Sequence, residues 1–195
     1  ALAALLAARA VGVDLKVAIE AIGRFRGVQR RLQSLGDFGG VQVFRETTSQ
    51  AVHESGAPWT GSRAVGVPMR VEGAALFRGQ AVDSDALVTL GGDDELDFYT
   101  PRGFDILGFA VDERQLEAHA RQIEHRDIAA VFDGKCVLKT DVGRRDEFRR
   151  LLLSVLQSLG ANPAAAGFRQ TQRVLQQSLL CALVAVAVEA DDHES

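Results

Sequence analysis

The middle of the chain, residues 41–112, constrains the fold most, because short β-prone runs alternate there with turn residues. Runs such as VQVFRETT, DALVTL and GFDILGFAV are rich in Val, Phe, Leu and Thr, and Gly, Pro and Asp separate them. Short, closely spaced strands of this kind are typical of a small antiparallel barrel or sandwich. The stretch holds no cluster of side chains suited to catalysis, so it predicts a domain that binds a molecule and reports on it.

Residues 41–53 form a predicted strand whose two faces both mix apolar and polar side chains. Because successive side chains of a strand point to opposite faces of the sheet, one of these faces is predicted to line a semi-polar cavity or its rim. The even-numbered residues are Gln42, Phe44, Glu46, Thr48, Gln50 and Val52, and the odd-numbered ones are Val41, Val43, Arg45, Thr47, Ser49, Ala51 and His53.

Four side chains around one loop are candidates for contact with a small ligand. Trp59 is the only tryptophan and follows an Ala-Pro pair in this loop, where it could cover the mouth of a barrel. Tyr99 is the only tyrosine and precedes a predicted turn, so it could act in the same way. His53 and Met69 lie in the strands that border the loop. Plain packing is the alternative reading for each of these residues.

Residues 168–190 predict a terminal helix that is apolar on nearly every side and must therefore be covered on every side. One face can pack on the preceding helix, and a second copy of the chain is the simplest cover for the other. We therefore expect a homodimer with Leu175, Leu179, Leu183 and Val186 at or near the contact. The longest apolar run, residues 179–188, is about half the length that a bilayer requires, so no membrane span is predicted.

The first 26 residues predict a helical segment in which a Gly-Val turn separates two helical runs, as in a helix-turn-helix. Its second helix offers only Lys16 and Glu20 as polar groups, which is unlike a helix that reads DNA bases. The run ALAALLAARAVGVDLKVAIEAIGRFRGVQRRLQ resembles the start of the C-terminal domain of the muramyl-peptide (Mur) ligases. The similarity ends at VQVFRETTSQAVHES, where those enzymes have an Asp-rich segment, and a GxxxxGK[ST] phosphate loop is missing, so ligase activity is not predicted.

A second resemblance covers the β-rich part. The segments RETTSQAVHESG and LVTLGGDDELDFYTPRGFDILGFAV resemble the N-terminal sensor domain of AraC-type transcription regulators, over roughly residues 35–125 and more loosely to 190. This resemblance implies an α+β fold, with a cupin-like antiparallel β-barrel in residues 27–112 and a helical dimerisation region in residues 113–195. It also implies a bacterial, cytoplasmic regulator that binds a small-molecule effector and contacts DNA only through a C-terminal domain missing from this chain.

The net charge argues against DNA binding by these residues, and the positions of the histidines argue against a metal site. The net charge of −4 disfavours DNA binding by these residues themselves. Cupin enzymes often hold a metal with three histidines and a glutamate, but His53, His119, His125 and His193 stand in separate contexts, so no metal or other cofactor is expected. A small cupin-like enzyme and a purely structural dimerisation module remain the alternatives. An arginine cluster at residues 144–150 predicts either a solvated helix face or a contact to the DNA-binding domain.

Overall fold

A computed structural model describes residues 30–37, 40–123 and 125–194, with the backbone alone for residues 30–37, 163, 166 and 191–194. The helical segment predicted for residues 1–26 lies outside the described residues. The described strands are β1 (Arg30–Asp37), β2 (Val41–Thr48), β3 (Val52–Gly56), β4 (Ser62–Arg70), β5 (Ala75–Phe77), β6 (Gln80–Val82), β7 (Ala86–Gly91), β8 (Leu96–Thr100), β9 (Asp105–Asp112) and β10 (Val137–Lys139). The helices are α1 (Glu113–Ile123), α2 (Ile128–Phe132), α3 (Val142–Ala161), a 3-10 helix (Pro163–Gly167) and α4 (Arg169–Glu194).

The strands form two antiparallel sheets that face each other, as in a cupin-like barrel. The larger sheet has the order β1-β2-β9-β4-β7-β10, and the smaller one has the order β3-β8-β5-β6. The four helices pack on the outer face of the larger sheet. The fold is therefore α+β, with a cupin-like antiparallel barrel followed by helices, as the sequence predicts.

The predicted single strand of residues 41–53 is two strands in different sheets. The chain bends at residues 49–51, so β2 joins the larger sheet and β3 joins the smaller one. Two backbone hydrogen bonds hold this corner, from the Thr48 N–H to the Phe104 carbonyl (2.9 Å) and from the Gly103 N–H to the Thr48 carbonyl (3.0 Å). The bend carries one chain segment from one wall of the barrel to the opposite wall.

The helical layer begins directly after β9, and most of its boundaries follow local sequence signals. Asp127 caps α2, and Asp141 caps α3 by accepting hydrogen bonds from two backbone N–H groups. Helix α2 ends just before Gly134, whose φ of +66° favours glycine. The short strand β10 then extends the larger sheet, with Val137 opposite Val88. Three residues are too few for a β period to be visible in the sequence, so this strand was not expected.

The terminal helix α4 is covered by its own chain. Leu179 and Leu183 are fully buried and Val186 is nearly so, while Leu175 is half-buried against the same core. Three helices (α1, α2 and α3) lie against α4, whereas the sequence argument allowed for only one. The predicted dimer contact through Leu179, Leu183 and Val186 is therefore wrong for this fold, because their side chains are core residues.

Among the described residues, α4 is also the one helix long and apolar enough to cross a bilayer, judged by length and composition alone. Helices that pack inside a protein meet the same criteria, and α4 packs along one side on its neighbours. The opposite side of α4 is lined mainly by polar side chains such as Gln170, Arg173 and Gln177, which are exposed.

The predicted solvated arginine face on α3 is wrong for two of its members. Arg145 is only 5% exposed and forms an ion pair with Asp85 at 2.6 Å. Arg149 donates from its Nη2 to the backbone carbonyls of Pro68 and Ser84, and burial lowers the pKa of its guanidinium. These contacts tie α3 to β4 and to the turn that precedes β7.

Candidate ligand-binding site

A cavity of about 420 Å³ lies between the two sheets of the barrel. Its volume is within the usual range for small-molecule sites, and its walls are mainly apolar. The lining residues are Gln42, Phe44, Glu46, Thr48, Glu54, Ala57, Pro58, Trp59, Ala64, Val65, Gly66, Phe77, Val88, Thr89, Leu90, Leu96, Phe98, Thr100, Phe104, Ile106, Gly108 and Ala110.

One wall of the cavity is the even-numbered face of β2. Gln42, Phe44, Glu46 and Thr48 all line the cavity, whereas Val43 on the other face is fully buried against the helical layer. The prediction that one mixed face of this segment lines a semi-polar cavity is therefore confirmed, and the even-numbered residues form that face. After the corner, the alternation continues on the opposite wall, where Glu54 of β3 lines the same cavity.

The floor of the cavity depends on two glycines that are neighbours in adjacent strands, Gly66 and Gly108. A Cβ at Gly108 would stand 2.0 Å from the ring of Phe44, so this ring lies directly on the glycine backbone. A Cβ at Gly66 would stand 2.6 Å from Ile106 and 2.7 Å from Val88. Any larger residue at these positions would push side chains into the cavity.

The opposite wall is aromatic. Phe98 makes edge-to-face contacts with Phe77 (centroids 5.1 Å apart) and with Phe104 (5.3 Å). All three rings are at most 6% exposed, which fixes them in the core of the barrel. This packed cluster provides a rigid apolar surface against which a ligand could lie.

Trp59 lies at the mouth of the cavity on a loop that backbone contacts hold in place. Its carbonyl oxygen accepts hydrogen bonds from the Ser62 hydroxyl (2.6 Å) and the Ser62 N–H (3.1 Å). Gly92 approaches so closely that a Cβ there would stand 2.3 Å from the same oxygen. The indole is 39% exposed, so it can contact both a bound molecule and solvent.

The polar groups of the lining mostly accept hydrogen bonds. Glu46 and Glu54 contribute carboxylates. The hydroxyls of Thr48 and Thr100 donate to the backbone carbonyls of Pro101 and Val52, both at 3.4 Å, which leaves their oxygen lone pairs to face other groups. Gln42, Trp59 and Thr89 are the exceptions, since the amide, the indole N–H and the Thr89 hydroxyl, which has no partner, can each donate. Among the described lining residues there is no Lys, Arg or His.

This lining does not fit the metal centre that many cupins hold. It offers two carboxylates but no imidazole or thiolate, and no group of three metal-binding side chains comes together among the described residues. His53 points away from the cavity. The arrangement suits binding of a molecule through apolar contacts and hydrogen bonds to acceptors.

The structure brings only one of the four predicted ligand contacts to the cavity. Trp59 lines it, but Tyr99 and His53 stack on each other at 4.1 Å on the exposed outer face of the smaller sheet. His53 also pairs with Asp97 at 2.7 Å there. Met69 packs against the helical side of the larger sheet. Strand parity explains these placements, because Tyr99 and His53 are one residue out of phase with the inward-facing Phe98 and Glu54.

The sequence argument missed several lining residues that parity could have identified. Phe98 and Thr100 alternate with outward-facing residues along β8, and Phe98 is the only apolar aromatic residue in that strand. Glu54 was missed because residues 41–53 were treated as one strand that ended before it. Knowing the corner at residues 49–51 would have placed Glu54 inside.

Comparison with known proteins finds two unrelated similarities, and no family model matches. The chain is 57% identical over 44 residues to UDP-N-acetylmuramate--L-alanine ligase from Nocardia farcinica (strain IFM 10152). That match covers 23% of this chain and 9% of the ligase. It supports a short Mur-ligase-like segment and does not extend to the rest of the enzyme.

Among solved structures, the AraC-like transcriptional activator CuxR matches 91% of this chain with a TM-score of 0.60 at 13% sequence identity. The chain spans 59% of the CuxR chain. A cupin domain of an XRE family transcriptional regulator from Enterobacter cloacae matches 42% of this chain and 95% of its own, at 14% identity and a TM-score of 0.35. At such low identity the likeness to CuxR is one of fold: this chain shares with the matched part of that protein a cupin-like barrel joined to a helical layer.

Proposed function

We propose that this chain is the effector-sensing part of a cytoplasmic AraC-type transcription regulator, which binds a small molecule inside the barrel. The observation that carries the proposal is the cavity between the sheets, with a rigid aromatic wall and Trp59 at its mouth. The fold similarity to an AraC-like activator supports the regulatory role. A metal-dependent cupin enzyme is the weaker alternative, because the described lining lacks imidazole ligands.

In this proposal the larger sheet transmits the effect of binding. Its strands contact the ligand on one face and the helices on the other: Gly108 lines the cavity, while Phe109 packs edge-to-face on Phe148 of α3 at 6.4 Å. Arg149 adds a second link from α3 to β4. A ligand would shift the helices only to the extent that it binds one arrangement of sheet and helices more tightly than another.

DNA contact in such a regulator would be made by residues outside these 195. The chain carries a net charge of −4, and several of its described arginines are paired with carboxylates, as Arg45 is with Asp105 and Arg63 with Glu113. Neither property suits phosphate binding. We therefore propose that this chain acts on DNA binding indirectly, through its helical layer.

A homodimer is part of the proposal, with a contact surface different from the one predicted from sequence. The exposed apolar side chains of the helical layer include Phe168 (65% exposed), just before α4, and Val174 (56% exposed), in the second turn of α4. A second copy of the chain could cover them. Such a contact would leave the buried Leu179 and Leu183 inside each protomer.

The test is a thermal-shift screen of small apolar and amphipathic molecules, using the Trp59→Ala variant and Tyr99→Ala as its matched control. A molecule that binds the cavity should raise the melting temperature of the wild-type chain and of Tyr99→Ala, since Tyr99 lies on the outer face. The shift should be smaller for Trp59→Ala. Equal shifts in both variants would remove Trp59 from the site.

A further inference from the structure

The chemistry of the cavity lining restricts the class of molecule that it can hold. Resting on the proposed function, we infer that the effector is an apolar cation, such as an alkyl or aryl ammonium compound, rather than an anion or a purely neutral hydrocarbon. The charge-bearing side chains of the described lining are the carboxylates of Glu46 and Glu54. No described lining residue carries a positive charge.

The two carboxylates stand on opposite walls. Glu46 lies in β2 of the larger sheet and is 6% exposed, and Glu54 lies in β3 of the smaller sheet and is half-buried. Both also interact with other residues of the chain, so the inference rests on the sign of the lining and not on an unpaired group. The described side chains of the lining thus bring negative charge and no positive charge to the cavity, and this charge attracts a ligand cation.

The neutral polar groups favour the same class of ligand. The hydroxyl hydrogens of Thr48 and Thr100 are directed to backbone carbonyls, so these residues present oxygen lone pairs to a ligand. Hydrogen-bond donors or positive charge on a ligand would pair with these oxygens. An anionic group would be repelled by the two carboxylates and would find only the neutral donors of Gln42, Trp59 and Thr89 among the side chains of the lining.

The aromatic side chains of the cavity also favour a cation. Phe44, Trp59, Phe77, Phe98 and Phe104 all line the cavity. The negative faces of aromatic rings attract cations, most strongly where water is excluded. The same rings bury the apolar body of the ligand, which provides most of the affinity.

The cations of the neighbouring sequence lie on the other side of the sheet. Arg45 and Arg63 alternate with lining residues along β2 and β4, and they pair with Asp105 (2.6 Å) and Glu113 (2.5 Å) respectively. The Arg63 guanidinium also lies over the ring of Phe132 in α2, 5.0 Å from its centroid. Strand alternation thus places these arginines outside the cavity and the glutamates inside.

Three probes of matched shape and different charge test this inference: benzyltrimethylammonium, neutral neopentylbenzene and anionic phenylmethanesulfonate. Binding to the whole chain is measured from Trp59 emission, since Trp59 is the only tryptophan, and from the melting temperature. We expect the cation to bind about tenfold more tightly than the neutral probe, and the sulfonate at least tenfold more weakly than the neutral probe.

Variants then assign the charge preference to the lining. Glu46→Gln and Glu54→Gln should each reduce the ratio of cation affinity to neopentylbenzene affinity by at least threefold. Glu95→Gln removes the same charge from an exposed turn and should leave this affinity ratio unchanged. It therefore controls for the net negative charge of the chain. Glu54 is the less buried of the pair, so its variant remains informative if Glu46→Gln fails to fold.

The outcomes separate this inference from the proposed function. If neopentylbenzene binds and the cation binds no more tightly than it does, the ligand class is overturned, while the cavity remains the binding site. The ligand class would also be overturned if the ratio of cation affinity to neopentylbenzene affinity is unchanged in both lining variants, or if the sulfonate binds as tightly as the cation. Failure of all three probes to change either readout would contradict the inference and the proposed sensor function together.

Discussion

The two faces of the larger sheet differ in how tightly their side chains are packed, although the same strands form both. On the helical face, Val41, Val43, Leu107 and Phe109 are fully buried, and helices fill the space above them. On the inner face, glycines and half-buried residues leave a cavity of about 420 Å³. Filling a core contributes stability, whereas leaving it open gives up stability for a space that a ligand can occupy. The difference supports the proposal that the inner face is the ligand-binding one.

The largest test of this comparison uses α4, whose buried side belongs to the filled core. Leu183→Glu places a charge at a fully buried position among apolar side chains, so we expect the chain to unfold, at a cost of several kcal/mol. Val174→Glu changes an exposed position of the same helix, so each protomer should stay folded, and any loss of stability should be limited to that of the dimer contact. Urea denaturation measures both variants.

Light scattering on the same two proteins tests the proposed dimer. If the surface with Phe168 and Val174 is the contact, the wild-type chain should be a dimer at micromolar concentration and folded Val174→Glu should be a monomer. A monomeric wild-type chain would contradict the dimer. A folded, monomeric Leu183→Glu would restore the interface first expected from the sequence.

A second test compares two phenylalanines in paired strands, one on each face of the larger sheet. Phe109 is fully buried under the helices, so Phe109→Ala should cost about 3–5 kcal/mol of unfolding free energy. Phe44 borders the cavity, where part of its surface already lacks packing partners, and Phe44→Ala should cost about 1–2 kcal/mol. Equal costs from chemical denaturation would mean that the inner face is packed as tightly as the helical face.

The largest effect on ligand binding is expected at Gly108, with a stability cost no larger than that of Phe44→Ala. Gly108→Ala would displace the Phe44 ring, which can move into the open cavity at a cost of about 1–2 kcal/mol. Binding of neopentylbenzene should then weaken at least tenfold, because the ring occupies the ligand space. Gly160→Ala is the control: nothing lies near a Cβ there, and replacing a helical glycine should stabilise the chain by about 0.5–1 kcal/mol. Unchanged probe binding in Gly108→Ala would place the ligand elsewhere.

Strand alternation explains how much of this architecture the sequence could predict. The turns at Gly92 and Gly103 and the mixed face with Phe44 follow from local patterns, so the barrel class was accessible. The corner at residues 49–51 was not, because nothing in ETTSQAVHES requires the chain to change sheets there. Side-chain alternation along β3 and β8 decides that Glu54 lies inside and that His53 and Tyr99 lie outside. The site predictions at His53 and Tyr99 were wrong because they did not apply this alternation, and Met69 lies on the helical face of the larger sheet.

Tertiary packing accounts for the remaining errors. A helix that is apolar on most sides needs cover, and the sequence alone does not say whether the cover comes from the same chain or from a copy. For α4, the packing of α1 and α2 against it supplies that cover, and neither contact has a sequence signal at Leu179 or Leu183. The buried Arg145 and Arg149 are a similar case, because their partners lie in turns and strands far away along the chain.

Backbone amide and Trp59 indole chemical shifts, recorded by NMR during titration with benzyltrimethylammonium, test the central claim most directly. The account predicts the largest shifts at the two walls and the mouth of the cavity, at Phe44, Glu46, Phe98, Thr100 and the Trp59 indole, with smaller shifts spreading to α3. Residues on the outer face of the smaller sheet, such as Leu76 and Tyr99, should change little. Shifts confined to that outer face or to the helical layer, with none at the cavity walls, would contradict a ligand site inside the barrel.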